Sequence, residues 1–239
     1  GIVNGEGAIE RPNQINLLTV DDSYGRMPPE CPNEIIPHLL TALTHAPDAP
    51  SPVVWVYPFH EYHAFTFSTE QRIEEPFFGD WLMRGALNHG LPLSTVVATD
   101  DFCRLKSRRP EFFLGSVLVT PVPVAGSEFE TALLAAVEKG QSAILYGPVT
   151  RASETLRRYL GLGLAPSLVG EGTLETTLDI DTLRSGSHPR AILHRPEFCA
   201  GGIDTVAQGL TPEELVARFH QGGLERAVAV LREMGKGRM

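Results

Sequence analysis

Three short groups of polar side chains are chemically equipped to act: His60-Glu61-Tyr62-His63, Asp100-Asp101 and Tyr146. Imidazole beside carboxylate can hold a metal ion or move a proton. The zinc signature HExxH fixes two histidines on one face of a helix, one turn apart. His60 and His63 have a different spacing, in a stretch that reads as a loop, so no metal is expected. The plainer reading is a partly buried polar loop that satisfies its own hydrogen bonds. Asp100-Asp101 offers two carboxylates, but adjacent residues rarely aim at one reacting atom, and aspartate is common at turns and helix starts. Tyr146 ends an apolar run before Gly147-Pro148; a phenol ionises near pH ~10 and makes a poor nucleophile.

Other signatures fail on context. Gly161-x-Gly163 and Gly170-Glu171-Gly172 lack the strand–GxGxxG–helix setting of a dinucleotide site, and Gly235-Lys236-Gly237 lacks the flanks of a phosphate loop. No serine sits in a G-x-S-x-G elbow, and His188 and His194 have no visible partner. No cofactor is expected. Cys31, Cys103 and Cys199 are scattered, without a CxxC pair. With no Asn-x-Ser/Thr sequon either, a reducing, cytoplasmic setting is favoured. The chain starts at Gly1 without Met, which fits processing or excision from a longer chain.

The elements that must position these groups show in the apolar pattern. Val53–Tyr57 is a continuous apolar run, as in a parallel strand covered on both faces, and His60-Glu61-Tyr62-His63 follows its end. Phe78, Trp81, Leu82, Gly85 and Ala86 repeat at helical spacing up to a stop at Gly90. Leu93–Ala98 is the second strand, with Asp100-Asp101 after it, and Ser116–Thr120 is the third. Ser127-x-x-Glu130 is a capping box that opens a helix carrying Leu133, Leu134 and Val137 to Gly140. Ala143–Tyr146 is the fourth strand, and a helix through Leu156 and Leu160 closes at Gly161.

Before this core, residues 1–52 form a turn-rich lead-in with one helix, capped by Asn33, with Pro37 in its first turn and Ile35, Ile36, Leu39, Leu40 and Leu43 along one side. Residues 53–165 form the core. Residues 166–239 hold short strands (173–181, Ala191–His194, Ile203–Ala207) and then a C-terminal amphipathic helix from Thr211-Pro212-Glu213-Glu214 through Leu224, Val228 and Leu231. The expected fold is three-layer α/β/α with a mainly parallel sheet, a β-rich appendage and a terminal helix.

Composition narrows the function classes. A 42% apolar and 21% charged chain can bury a core, and a net charge of −9 disfavours nucleic acid and anionic membranes. The basic run Cys103–Pro110 reads as a solvated loop. No stretch is long and apolar enough to cross a membrane.

The segment Val53–Leu160 resembles the class I glutamine-amidotransferase-like fold. It is most similar to the non-catalytic domain that follows the barrel in glycoside hydrolase family 42 β-galactosidases. The resemblance rests on the strand opening into the loop at Val53–Tyr62, the helix–Gly–strand step over 78–97, and Leu114-Gly-Ser-Val-Leu-Val-Thr-Pro. It implies a nucleophile turn near Ala143-Ile-Leu-Tyr-Gly-Pro, where catalytic relatives carry cysteine and this chain has Leu145 and Tyr146. The expected function is therefore a non-catalytic domain of a carbohydrate-active enzyme, acting in self-association or in shaping a substrate cleft. Homo-oligomers or neighbouring domains are the expected partners, with carbohydrate a possible ligand. The alternatives are a small hydrolase using His60/Glu61/His63 and Asp100/Asp101, and a sugar- or metabolite-binding module. Phe59, Phe65, Phe67 and Phe77 are the candidate exposed aromatics.

Overall fold

The computed structural model describes residues 1–11, 28–67, 74–177, 190–196 and 202–239. In chain order the elements are β1 (Ile2–Val3), β2 (Ile9–Glu10), α1 (Glu30–Thr44), β3 (Val53–Tyr57), α2 (Phe59–Thr66), α3 (Glu74–Asn88), β4 (Leu93–Ala98) and α4 (Thr99–Arg108). There follow β5 (Val117–Pro121), α5 (Glu128–Glu138), β6 (Ser142–Tyr146), a 3-10 turn (Val149–Arg151) and α6 (Glu154–Leu160). The remaining elements of the described residues are all strands: β7 (Leu162–Leu168), β8 (Gly172–Thr176), β9 (Ala191–His194), β10 (Ile203–Ala207), β11 (Leu215–Gln221), β12 (Leu224–Val230), β13 (Glu233–Met234) and β14 (Gly237–Arg238).

The fold is α/β around a largely parallel eight-stranded sheet in the order β13-β14-β6-β5-β3-β4-β1-β2. The pairings β14·β6, β6·β5, β5·β3, β3·β4 and β4·β1 are parallel, and only the outermost pairs at each edge are antiparallel. The lead-in thus contributes to the sheet: Val3 is fully buried beside Val97. The last residues return as β13 and β14. Between them lie a four-stranded antiparallel sheet, β12-β11-β8-β9, and a two-stranded one, β10-β7.

Alternation along the parallel strands divides the core. Val54, Val56, Val97 and Leu118 pack with Phe102 and Leu105 of α4 and Phe129, Leu133 and Val137 of α5. Val53, Trp55 and Val119 pack on the other side with Met83 of α3. Such two-sided burial explains why these strands read as unbroken apolar runs.

Several expectations are corrected. The C-terminal amphipathic helix is instead the hairpin β11–β12, in which Phe219 faces Arg226 and Gln221 faces Leu224. Gly222 and Gly223 form its turn with φ of 57° and 81°, values only glycine adopts readily and the hairpin turn requires. The basic run is mostly helix: α4 holds Cys103–Arg108, its sparse apolar residues Phe102 and Leu105 buried completely. The loop expected at His60–His63 is α2. Helix α1 begins at Glu30 behind Pro29, so Asn33 is not its cap and Pro37 lies inside it, and none of its residues is buried. In α3 the inward face is Gly79 and Met83, while Trp81 and Leu82 are exposed; the Phe78 side chain lies outside the described set. The strand expected over 173–181 is found as β8, and residues 178–181 lie outside the described residues, as do His188 and Cys199.

Candidate functional site

Strand order alone marks a site. The chain passes from β3 to β4 in one direction and then from β4 back across β3 to β5, so the connections after β3 and β5 diverge. In open parallel sheets ligands bind in the crevice so formed at the carboxyl ends. Here it is lined by Pro58, Glu61 and Tyr62 from the β3 side and by Thr120, Val122 and Phe129 from the β5 side. Its free space is about 30 Å³, which holds a water or two but not a sugar ring.

Glu61 lies in the first turn of α2, and both its carboxylate oxygens accept from Thr99 Oγ1, at 3.0 and 3.1 Å. Thr99 is the first residue of α4, whose N-cap, Ala98, has no side-chain acceptor to offer. A carboxylate beside a helix N-terminus is stabilising, so Glu61 ties α2 to α4. His60 Nε2 is 3.7 Å from Asp100 Oδ2, a contact that is ionic only when the imidazole is protonated, and His60 is 80% exposed. Asp100 also lies 3.9 Å from Arg104 Nη2, and Asp101 pairs with Arg104 Nη1 at 2.7 Å. Such exposed pairs contribute at most about 1 kcal/mol. The His63 ring meets Phe67 edge-on at 5.0 Å.

Tyr146 accepts from Trp55 Nε1 at 3.0 Å. It also closes with Tyr62 over Gly79: a Cβ at that position would lie 3.0 Å from Tyr62 Oη and 3.2 Å from Tyr146 Cε2. The glycine lets α3 approach the two phenols. The structure thus brings together His60 with Asp100, Glu61 with the start of α4, and Tyr146 with Tyr62. His63 and Asp101 are turned to other partners.

Sequence reasoning missed Thr99, Trp55 and the ion pair between Arg151 and Glu75, which links the turn after β6 to the start of α3. The Arg151 guanidinium lies over the Phe65 ring, 5.3 Å from its centroid. The available signal was positional: Arg151 follows the Gly147-Pro148 turn at a strand's carboxyl end. Phe59, Phe67 and Phe77 are exposed, Phe67 by 78%, and Phe77 packs on exposed Trp81 at 5.5 Å. Phe65 is half-buried.

Among the described residues no group of His, Cys, Asp and Glu is arranged to hold a metal ion, and no helix is long and apolar enough to cross a membrane. Cys31 is exposed and Cys103 buried within α4, neither on a strand-to-helix turn. Burial, followed by the charges of Glu128, Asp100 and Glu61, pushes the Cys103 thiol up to about 11. The thiolate is the reactive form, so iodoacetamide at pH 8 is expected to label Cys31 about tenfold or more faster than Cys103, with the difference vanishing in denaturant. Peptide mass spectrometry reads both sites. Because folding raises this pKa from 9.0, the stability linked to the thiol is full below about pH 9 and is lost as pH rises through about 11.

Comparison with known protein families, curated proteins and solved structures gave no match.

Proposed function

We propose that this chain is a non-catalytic module of, or associated with, a multidomain carbohydrate-active enzyme, with a class I glutamine-amidotransferase-like core that serves self-association or shapes a substrate cleft. The observation that carries this reading is the condition of the carboxyl rim. Glu61 is engaged with Thr99 and Tyr146 with Trp55, each across two elements, and Asp101 with Arg104 within α4, so the polar groups best placed for chemistry are taken up in structural contacts. The turn after β6 also supports it. Leu145 and Tyr146 lead into Gly147, whose φ is 95°, so the turn carries no thiol.

A second reading, a small hydrolase acting on sugar derivatives, is favoured by one contact: His60 and Asp100 do converge, at 3.7 Å. The two readings separate by assay. The chain incubated with p-nitrophenyl glycosides, or with glutamine, is expected to release nothing above buffer, and light scattering is expected to report an assembly larger than one chain. Glycoside release that disappears in His60→Ala would establish the hydrolase instead. A chain that stays monomeric and gives no heat with mono- and disaccharides would contradict the proposed role.

A further inference from the structure

One face of the parallel sheet is covered only in part. The register aligns Trp55, Val119 and Ile144 across β3, β5 and β6. Val119 is 4% exposed under Met83 of α3, whereas Ile144, the next residue in the same row, is 51% exposed. Helical cover therefore ends between β5 and β6. There β6, whose residues of both faces are reached, lines a cleft of about 680 Å³ together with β10 and β12.

Both walls are mostly aliphatic. Ile144 contributes from β6, and Leu162, Ile203, Val228 and Val230 from the paired strands β7 and β10 and from β12. Small-molecule sites typically occupy about 300–1,000 Å³, are concave and predominantly apolar, and carry a few polar groups. The charged side chains along this cleft are Glu75 and Asp204, with no lysine or arginine among its described lining residues. Glu75 is paired with Arg151, while Asp204 has no ion-pair partner among the described residues. An anion entering would lose hydration and meet the uncompensated carboxylate of Asp204, a penalty an uncharged molecule escapes.

We propose that this cleft is a binding site for an apolar small molecule that carries no anionic group. It adjoins the narrow crevice at the switch point, with which it shares Glu75 and Val122, and does not depend on the module being catalytically silent. The walls supply the affinity by removing aliphatic surface from water, and Asp204 supplies the discrimination by charge.

Two fluorescent probes with related ring systems test it. Uncharged N-phenyl-1-naphthylamine, titrated with the full chain, is expected to bind one saturable site with Kd on the order of 10 µM. The sulfonated analogue 1-anilinonaphthalene-8-sulfonate should bind at least about tenfold more weakly, and Asp204→Asn should narrow that gap. Ile144→Arg should abolish binding of the uncharged probe, because a charged stem then occupies the sheet side of the cleft. Should that variant fail to fold by circular dichroism, Val228→Glu on β12, at a position 42% exposed, provides the same test. The proposal is overturned if the uncharged probe shows no saturable binding, if both folded variants bind it as the wild type does, or if the two probes bind equally.

Discussion

Phe102→Ala is expected to lower the free energy of unfolding by about 3–5 kcal/mol, the usual range for removing a buried aromatic ring. Phe102 is fully buried in α4, stacked on Phe113 with centroids 5.6 Å apart and edge-on to Phe129 at 5.5 Å. The three rings come from α4, the segment after it and α5, so the vacancy would open where three parts of the chain meet. Surrounding groups collapse only partly into such a space, which is why the loss exceeds simple transfer. Phe102→Leu, which retains most of the volume, should lose distinctly less. Urea unfolding checks both: the midpoint should fall while the slope stays unchanged.

Glu130→Ala is expected to destabilise by about 2–4 kcal/mol, because two backbone donors would lose a charged acceptor. Glu130 is 5% exposed. Its Oε2 accepts from Gly126 N at 2.7 Å, and its Oε1 accepts from Ser153 N at 3.3 Å. Its own backbone N–H donates to Ser127 Oγ at 3.0 Å. One carboxylate therefore closes the start of α5 and reaches the N-cap residue of α6. Ser127→Ala should cost only about 1 kcal/mol, the value of an ordinary cap. The double variant should fall short of the sum, since both residues serve one network. Denaturant titration of the three variants measures each figure and the coupling.

The capping box shows what local sequence can and cannot reveal. Ser127-x-x-Glu130 correctly marks the helix start, because the bond from Glu130 N to Ser127 Oγ spans three residues. The expected return bond to Ser127 N is replaced by bonds to Gly126 and to Ser153, and the latter lies far along the chain, where no local pattern reaches. The four parallel strands were legible for a similar reason: burial on both faces demands uninterrupted apolar runs such as Val53–Tyr57.

Elsewhere the pattern misled. Leu224, Val228 and Leu231 fit helical spacing, yet Gly222-Gly223 immediately before them is a hairpin signal, and it decides the structure. Helix α4 was hidden because charged residues dominate it and only Phe102, Cys103 and Leu105 supply its apolar side. That omission also obscured the site. Once Thr99 begins a helix, Glu61 has a structural partner, and the pair Asp100-Asp101 falls in that helix's first turn, where acidic residues are favoured. The cleft beside Ile144 was not legible at all, since its second wall comes from strands some sixty to ninety residues further on, brought to β6 only by the fold.

Whether the rim residues hold the fold or perform a reaction is tested most directly by Glu61→Gln, read simultaneously as melting temperature and as glycoside turnover. Removing the charge beside the first turn of α4 is expected to lower the melting temperature by about 2–4 °C, the shift that a loss of roughly 1 kcal/mol produces in a chain of this size, with no turnover present to lose. An unchanged melting temperature, together with wild-type hydrolysis that falls a hundredfold or so in the variant, would show that Glu61 acts on a substrate and that the rim is an active site.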